Sequence, residues 1–179
     1  MQYRRAKFAG GTYFFTVVTH YRRRILCEQQ NIDLLRHIFA EVMDNHPFTI
    51  DACVVLPDHL HCIWTLPPDD NDFSTRWRLI KGTFSRKCQP CFHGISSSAR
   101  RRKQEQAIWQ RRFWEHAIRN ETDHLHHVDY IHYNPVKHGL VSSLHEWPYS
   151  SFHRFVDHGI YPADWGTSEI TLPENIGRE

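Results

Sequence analysis

Residues 48–66 read FTIDACVVLPDHLHCIWTL. Two apolar runs, Phe48–Leu56 and His59–Leu66, flank Pro57-Asp58. That pair favours a turn, because proline fixes φ and aspartate hydrogen-bonds nearby backbone, so the stretch predicts an antiparallel hairpin. Upstream, Thr12–Thr19 (TYFFTVVT) follows Gly10-Gly11 and is β-branched and aromatic, which predicts a buried strand. Between it and the hairpin, Leu34, Leu35, Ile38, Phe39, Val42 and Met43 recur at three- and four-residue intervals, giving a helix over Asn31–Asp44 that Pro47 closes. Downstream, Phe73, Trp77, Ile80 and Phe84 mark a second helix through Lys87, and Trp109–Ile118 returns to a strand-like pattern. Residues 89–106 are polar, Ser-rich and basic without periodicity, and read as a mobile loop. Asn120, with Asp123 three residues on, is an N-cap opening a helix through Tyr133 that Pro135 interrupts. Strand, helix, strand, strand, helix, strand and a further helix is the order of a ferredoxin-like split βαβ, an α+β domain with helices packed on an antiparallel sheet.

The 179 residues fit one domain over 1–150, followed by a tail over 151–179 whose aperiodic sequence leaves open whether it wraps the domain or stays loose. A hydrophobic fraction of 40% excludes a disordered chain. No apolar run approaches the roughly 20 residues that cross a bilayer, and the N-terminal stretch lacks the features of a signal peptide, so a cytoplasmic location is expected and no membrane partner. Five scattered cysteines, an odd number, argue against a disulfide framework. Cys88, Cys91 and His93 lack the fourth ligand of a structural zinc site. A net charge of +2 is too small to indicate a polyanionic partner by itself. The cations are nevertheless clustered, at Arg4, Arg5 and Lys7, at Arg22–Arg24, at Arg100–Lys103 and at Arg111–Arg112.

His59 and His61 are two apart on a strand, so both imidazoles project from one face. Two such ligands hold a divalent ion while leaving positions open for water or substrate oxygens. The competing reading is a pair of hydrogen-bonded surface histidines. Tyr130 and Asn134, four apart, stack on one helix face, where the amide oxygen can complete a metal site while the phenol reaches substrate. Tyr133 is the rival nucleophile, turned roughly 100° from Asn134. His126, Lys137 and His138 are possible helpers with roles left open.

Taken together, RRAKFAGGTYFFT (4–16), VLPDHLHCIW (55–64), WQRRFWEHAIRNETD (109–123), YIHYNPVKHGLV (130–141) and WPYSSF (147–152) resemble the REP-associated tyrosine transposases, relatives of the single-tyrosine HUH transposases of single-strand insertion sequences. The resemblance implies an HUH endonuclease in which His59 and His61 are metal ligands flanking Leu60, Asn134 is a third metal-contacting side chain, and Tyr130 is the nucleophile. It implies magnesium or manganese as cofactor, a 5′-phosphotyrosine intermediate with a free 3′-hydroxyl, and rejoining of strands without ATP. The implied partner is a single-stranded DNA hairpin at a repetitive extragenic palindrome, next to a GTAG-like tetranucleotide, with a nucleoid-associated location. A monomer is expected, with a dimer as the alternative. Single strands are held by cationic grooves and aromatic platforms, so Arg4, Arg5, Arg100, Arg101, Arg102, Arg111, Arg112 and Trp114 are the candidate DNA contacts. Two other functions compete: a hairpin-binding protein with weak catalysis, and a relaxase- or replication-initiator-like nickase in which paired tyrosines act in succession.

Overall fold

A computed structural model describes residues 8–102, 105–167, 170, 172–173 and 176–177. Four strands, β1 (Thr12–Val18), β2 (Thr49–Val55), β3 (His59–Thr65) and β4 (Trp114–Ala117), form one sheet in the order β2-β3-β1-β4 with every neighbouring pair antiparallel. β1 and β2 therefore run parallel on either side of β3, which is the split βαβ arrangement the pattern predicts. The helices are α1 (Gln29–Asn45), α2 (Phe73–Lys87), α3 (Ser98–Arg102), α4 (Glu121–Lys137) and α5 (Phe152–Asp157).

Both faces of the sheet are covered, and β1 and β3 are almost wholly buried apart from their ends. On one face Tyr13, Phe15, Val17, Leu60, Cys62 and Trp64 meet the apolar stripes of α1 and α2. Trp64 and Trp77 stack there with ring centroids 4.3 Å apart and planes 16° off parallel. Such an aromatic pair adds about 0.5–1.5 kcal/mol to the burial of its area. On the other face Phe14, Ala52, Val54 and Ile63 pack against Val128, Tyr130 and Ile131 of α4. Alternation along β3 thus places His59 and His61 beneath α4, and Leu60 and Cys62 in the opposite core.

Three local expectations are revised. α4 continues through Pro135 to Lys137 instead of breaking at the proline. Pro135 falls in the last turn, where few intrahelical bonds remain to be lost, and the turn closes through His138 N to Asn134 O at 3.0 Å and Leu140 N to Pro135 O at 2.9 Å. Asn134 is held helical despite preceding proline because both residues are buried against the sheet. The strand expected over 109–118 is ordered as β4 only from Trp114, with Trp109 making a separate bridge to Thr19. The segment read as a mobile loop contains α3 and a 3₁₀ turn at Pro90–Phe92.

The outer edge of β2 is covered from far along the chain. Val55 N bonds Tyr149 O and Ser151 N bonds Cys53 O, each at 2.8 Å, and the Trp147 indole donates to Val55 O at 3.0 Å. Beyond α5, Tyr161, Leu172 and Ile176 pack on the α4 side of the sheet. Among the described residues no helix is long and apolar enough to cross a membrane.

Candidate active site

The two strand histidines lie with ring centroids 4.9 Å apart and planes at 81°. Each is held through Nδ1. His59 Nδ1 is 2.7 Å from Asp58 Oδ1, and His61 Nδ1 is 2.9 Å from Thr16 Oγ1, its register partner on β1. Nε2 of each ring is a buried atom, and it is the nitrogen each ring can offer a cation. Fixing one imidazole nitrogen sets the ring orientation and leaves the other to ligate, a common arrangement at metal sites. Burial alone would raise the Asp58 carboxyl, but hydrogen bonds from His59 and Arg22 outweigh it and keep the group below the usual carboxylate range. Asp58 therefore stays ionised, as an orienting partner for His59 must.

α4 supplies the facing groups. Tyr130, Asn134 and His138 are four apart and share a stripe. The Tyr130 ring lies 5.3 Å from that of His61, and the His138 ring 5.2 Å from that of His59. Asn134, midway along the stripe, is fully buried; its Nδ2 donates to Tyr130 O at 3.2 Å, and its Oδ1 has no hydrogen-bond partner among the described residues. A buried carbonyl oxygen without a donor is costly unless something else satisfies it, and beside two imidazoles a divalent cation fits the donor set. The residues present therefore suit a metal of N,N,O ligation.

The Tyr130 hydroxyl is enclosed on two sides. Lys137 Nζ donates to it at 3.1 Å and lies 4.6 Å from the ring centroid, while the hydroxyl donates to Gly177 O at 3.2 Å. Gly177 has φ +66°, and a Cβ there would overlap the phenol, so this close approach requires glycine. Tyr133, the rival nucleophile, is half-buried, and among the described residues no ring contact joins it to His59 or His61.

The cationic candidates separate into different places. Arg4 and Arg5 lie outside the described residues. Trp114 is on the active-site face, its ring 5.7 Å from Phe14. Arg112 is exposed, as are Arg101 and Arg102, although Arg101 donates to Ser96 O at 2.7 Å. Arg100 is buried, bonding Trp109 O at 3.4 Å and pairing with Glu105 at 3.8 Å, so it braces the loop. Arg111 pairs with the same carboxylate at 3.0 Å. Arg100 and Arg111 border a groove of about 770 Å³ along α2, shared with Trp77, Arg78, Lys81 and Arg86. The buried indole N–H groups of Trp77 and Trp109, which also border it, have no acceptor among the described residues.

Residues 8–134 match the family model described as "Transposase IS200 like". A REP-associated tyrosine transposase of Escherichia coli (strain K12) is 51% identical over 164 residues, covering 92% of this chain and 90% of that protein. The chain belongs to the REP-associated tyrosine transposases. Another relative, from Haemophilus influenzae, is 42% identical over 164 residues and covers 92% of each protein. The solved structure of a REP-associated tyrosine transposase bound to a REP hairpin matches with a TM-score of 0.78 at 46% identity, over 99% of both chains. Membership makes this chain a transposase with a ferredoxin-like α+β fold.

Some parts of this transposase site were not legible beforehand. Thr16 acts through strand register, which sequence does not state, and Gly177 reaches Tyr130 from 47 positions away. Asp58 carried a signal, since it immediately precedes His59, but it reads equally well as a turn residue. A second cluster that could hold a metal ion, His116, Asp123 and His127, was unforeseen because its members come from a strand end and a helix.

Proposed function

We propose that this transposase is a metal-dependent endonuclease and strand transferase acting on single-stranded DNA at REP-type hairpins. The observation that carries the reading is the edge-to-face contact of Tyr130 with His61 beside the unsatisfied Oδ1 of Asn134. His59 and His61 would hold a divalent cation through Nε2, with Asn134 Oδ1 as third ligand, and magnesium or manganese would supply Lewis-acid polarisation of the scissile phosphate. Tyr130 Oη attacks phosphorus, the bond to the 3′-oxygen breaks, the phenol gives up its proton and the departing oxygen takes one up. The product is a 5′-phosphotyrosine with a free 3′-hydroxyl, which retains the bond for rejoining. Lys137 holds the phenol oxygen and sets a positive charge where the phosphate must arrive. Residues 1–150 serve as the catalytic unit, and 151–179 as a cover over Tyr130. The enzyme is assigned to act as a monomer, in the cytoplasm and on the nucleoid.

The hairpin is assigned to the basic groove along α2, with Arg78, Arg86, Arg111 and the neighbouring Arg101, Arg102 and Arg112 meeting phosphates, and Trp114 meeting a base near the cut. Arg4 and Arg5 are assigned to the flanking tetranucleotide. The test mixes the protein with end-labelled hairpin oligonucleotides from its own genome and manganese. A denaturant-resistant adduct carrying the fragment 3′ of the cut is expected, lost in Tyr130→Phe and kept in Tyr133→Phe. Tight binding with no adduct would instead identify a hairpin-binding protein.

A further inference from the structure

His116, at the end of β4, and Asp123 and His127, one turn apart at the start of α4, converge on a point outside the His59/His61 site. Asp123 is the hub. His116 Nε2 lies 2.9 Å from its Oδ2 and His127 Nδ1 lies 3.2 Å from its Oδ1, and one ligand atom from each residue falls within 4.8 Å of the others. Ligand atoms around a tetrahedral ion with bonds of about 2.1 Å stand about 3.4 Å apart. The two Asp123 pairs, at 2.9 and 3.2 Å, are within about half an ångström of that spacing, and small rotations of the side chains would bring the widest separation, no more than 4.8 Å, into range.

The frame is rigid. The two imidazoles are stacked, with centroids 4.7 Å apart and planes 14° off parallel. Arg119 N donates to Asp123 Oδ2 at 3.0 Å, and Asn120 caps the helix by accepting from Asp123 N at 2.9 Å. Asp123 and His127 are an i, i+4 pair, the spacing at which a helix offers two ligands on one face. Two groups compete with an ion. Arg119 Nε approaches Asp123 at 3.9 Å from an exposed position, and His127 Nδ1 also lies 2.7 Å from Asp123 O.

We infer that His116, Asp123 and His127 form a second cation site, for a divalent transition ion, that clamps β4 to the first turns of α4. Two imidazoles and one carboxylate suit zinc, cobalt or manganese better than the all-oxygen coordination of calcium. The clamp lies one ring from the reaction centre: Phe14 touches His127 at 4.8 Å, His61 at 5.4 Å and Tyr130 at 6.0 Å between centroids. Ion binding here fixes the helix that carries Tyr130. The inference stands independently of the role of His59 and His61.

The test uses the full chain with the first site removed, His59→Ala/His61→Ala, titrated with Co²⁺ by equilibrium dialysis and visible absorption. One equivalent is expected, with d–d bands and no thiolate charge-transfer band, the latter excluding Cys88 and Cys91. Adding His116→Gln, which can still hydrogen-bond Asp123, should weaken binding on the order of 10–100-fold, as loss of a group essential to a metal site does. Absence of bound ion in His59→Ala/His61→Ala would overturn the inference and leave a hydrogen-bonded brace. An equivalent that survives both His116→Gln and His127→Gln would overturn it too, by locating the ion elsewhere. Whether the wild type loses a different ion on His59→Ala is read in a separate titration, so failure of either site is distinguishable from failure of the other.

Discussion

Lys137 is seven residues beyond Tyr130, and the two meet because seven residues make almost two turns of helix. Its ammonium is the cation closest to the phenol oxygen among the contacts described above. Lys137→Met is expected to slow adduct formation about a hundredfold, the scale for losing one preorganised donor, with hairpin affinity changed far less. Lys137→Arg should restore part of the rate. Single-turnover cleavage measured beside binding separates the two effects, and equal losses in both would reduce Lys137 to a DNA contact. At this scale the sequence was informative wherever one element carries the chemistry. Strand alternation put His59 and His61 on one face, and helical spacing put Tyr130 beside Asn134. Where two elements had to be superposed, as for Thr16 on His61 or His116 on Asp123, no spacing could disclose the contact.

α4 is the element on which these contacts depend, and the C-terminal segment fastens it. His132 Nδ1 is 3.2 Å from the Tyr161 hydroxyl and Nε2 is 2.8 Å from Ser151 Oγ, while Tyr161 donates to Asp129 at 2.6 Å. Tyr161 donates elsewhere, so His132 Nδ1–H donates to it and Nε2 accepts from Ser151. Only the neutral imidazole completes that chain. Burial, reinforced by the charges of Arg154 and His153, pushes the imidazole down to about 3, whereas an unfolded chain titrates near 6.5. The unfolded state therefore binds the proton first. Stability from this group is full above about pH 6.5 and is lost as pH falls toward 3, by up to about 1.4 kcal/mol per pH unit. His127, also lowered by burial, adds a loss of the same sign. Denaturant titrations between pH 7 and 4 should show a shallower decline in His132→Gln than in the wild type; parallel curves would refute the assignment. Sequence spacing located this helix and its cap, but placed its end too early, since the pattern could not show that Pro135 would be buried in the final turn.

Across the whole molecule, the tail lies on the α4 face and the basic groove runs along α2, which packs on the opposite face of the sheet. Cover and groove should be separable. Removing residues 168–179, or replacing Gly177 with valine to force the backbone off the phenol, is expected to speed adduct formation while leaving hairpin affinity unchanged. A rate unchanged in both would mean the tail leaves before the chemistry regardless. Conversely, Arg78→Ala with Arg86→Ala, both exposed, should weaken hairpin binding and reduce the slope of log affinity against log salt by about 2, near 0.9 per phosphate contact. Neither substitution touches Tyr130. The two-sided layout was not legible from composition, because a net charge of +2 conceals cations gathered along one helix and loop.

The strip that covers β2 gives the order of synthesis a physical meaning. Tyr149 and Ser151 pair with Val55 and Cys53, almost a hundred residues earlier. On the ribosome, a nascent chain that has emerged only through Glu146 already carries all four strands, yet exposes the unpaired backbone of β2, an edge ready to recruit another copy. Six further residues close it. A chain truncated after Glu146 should therefore aggregate more than one truncated after Phe152, measured as the soluble fraction of each.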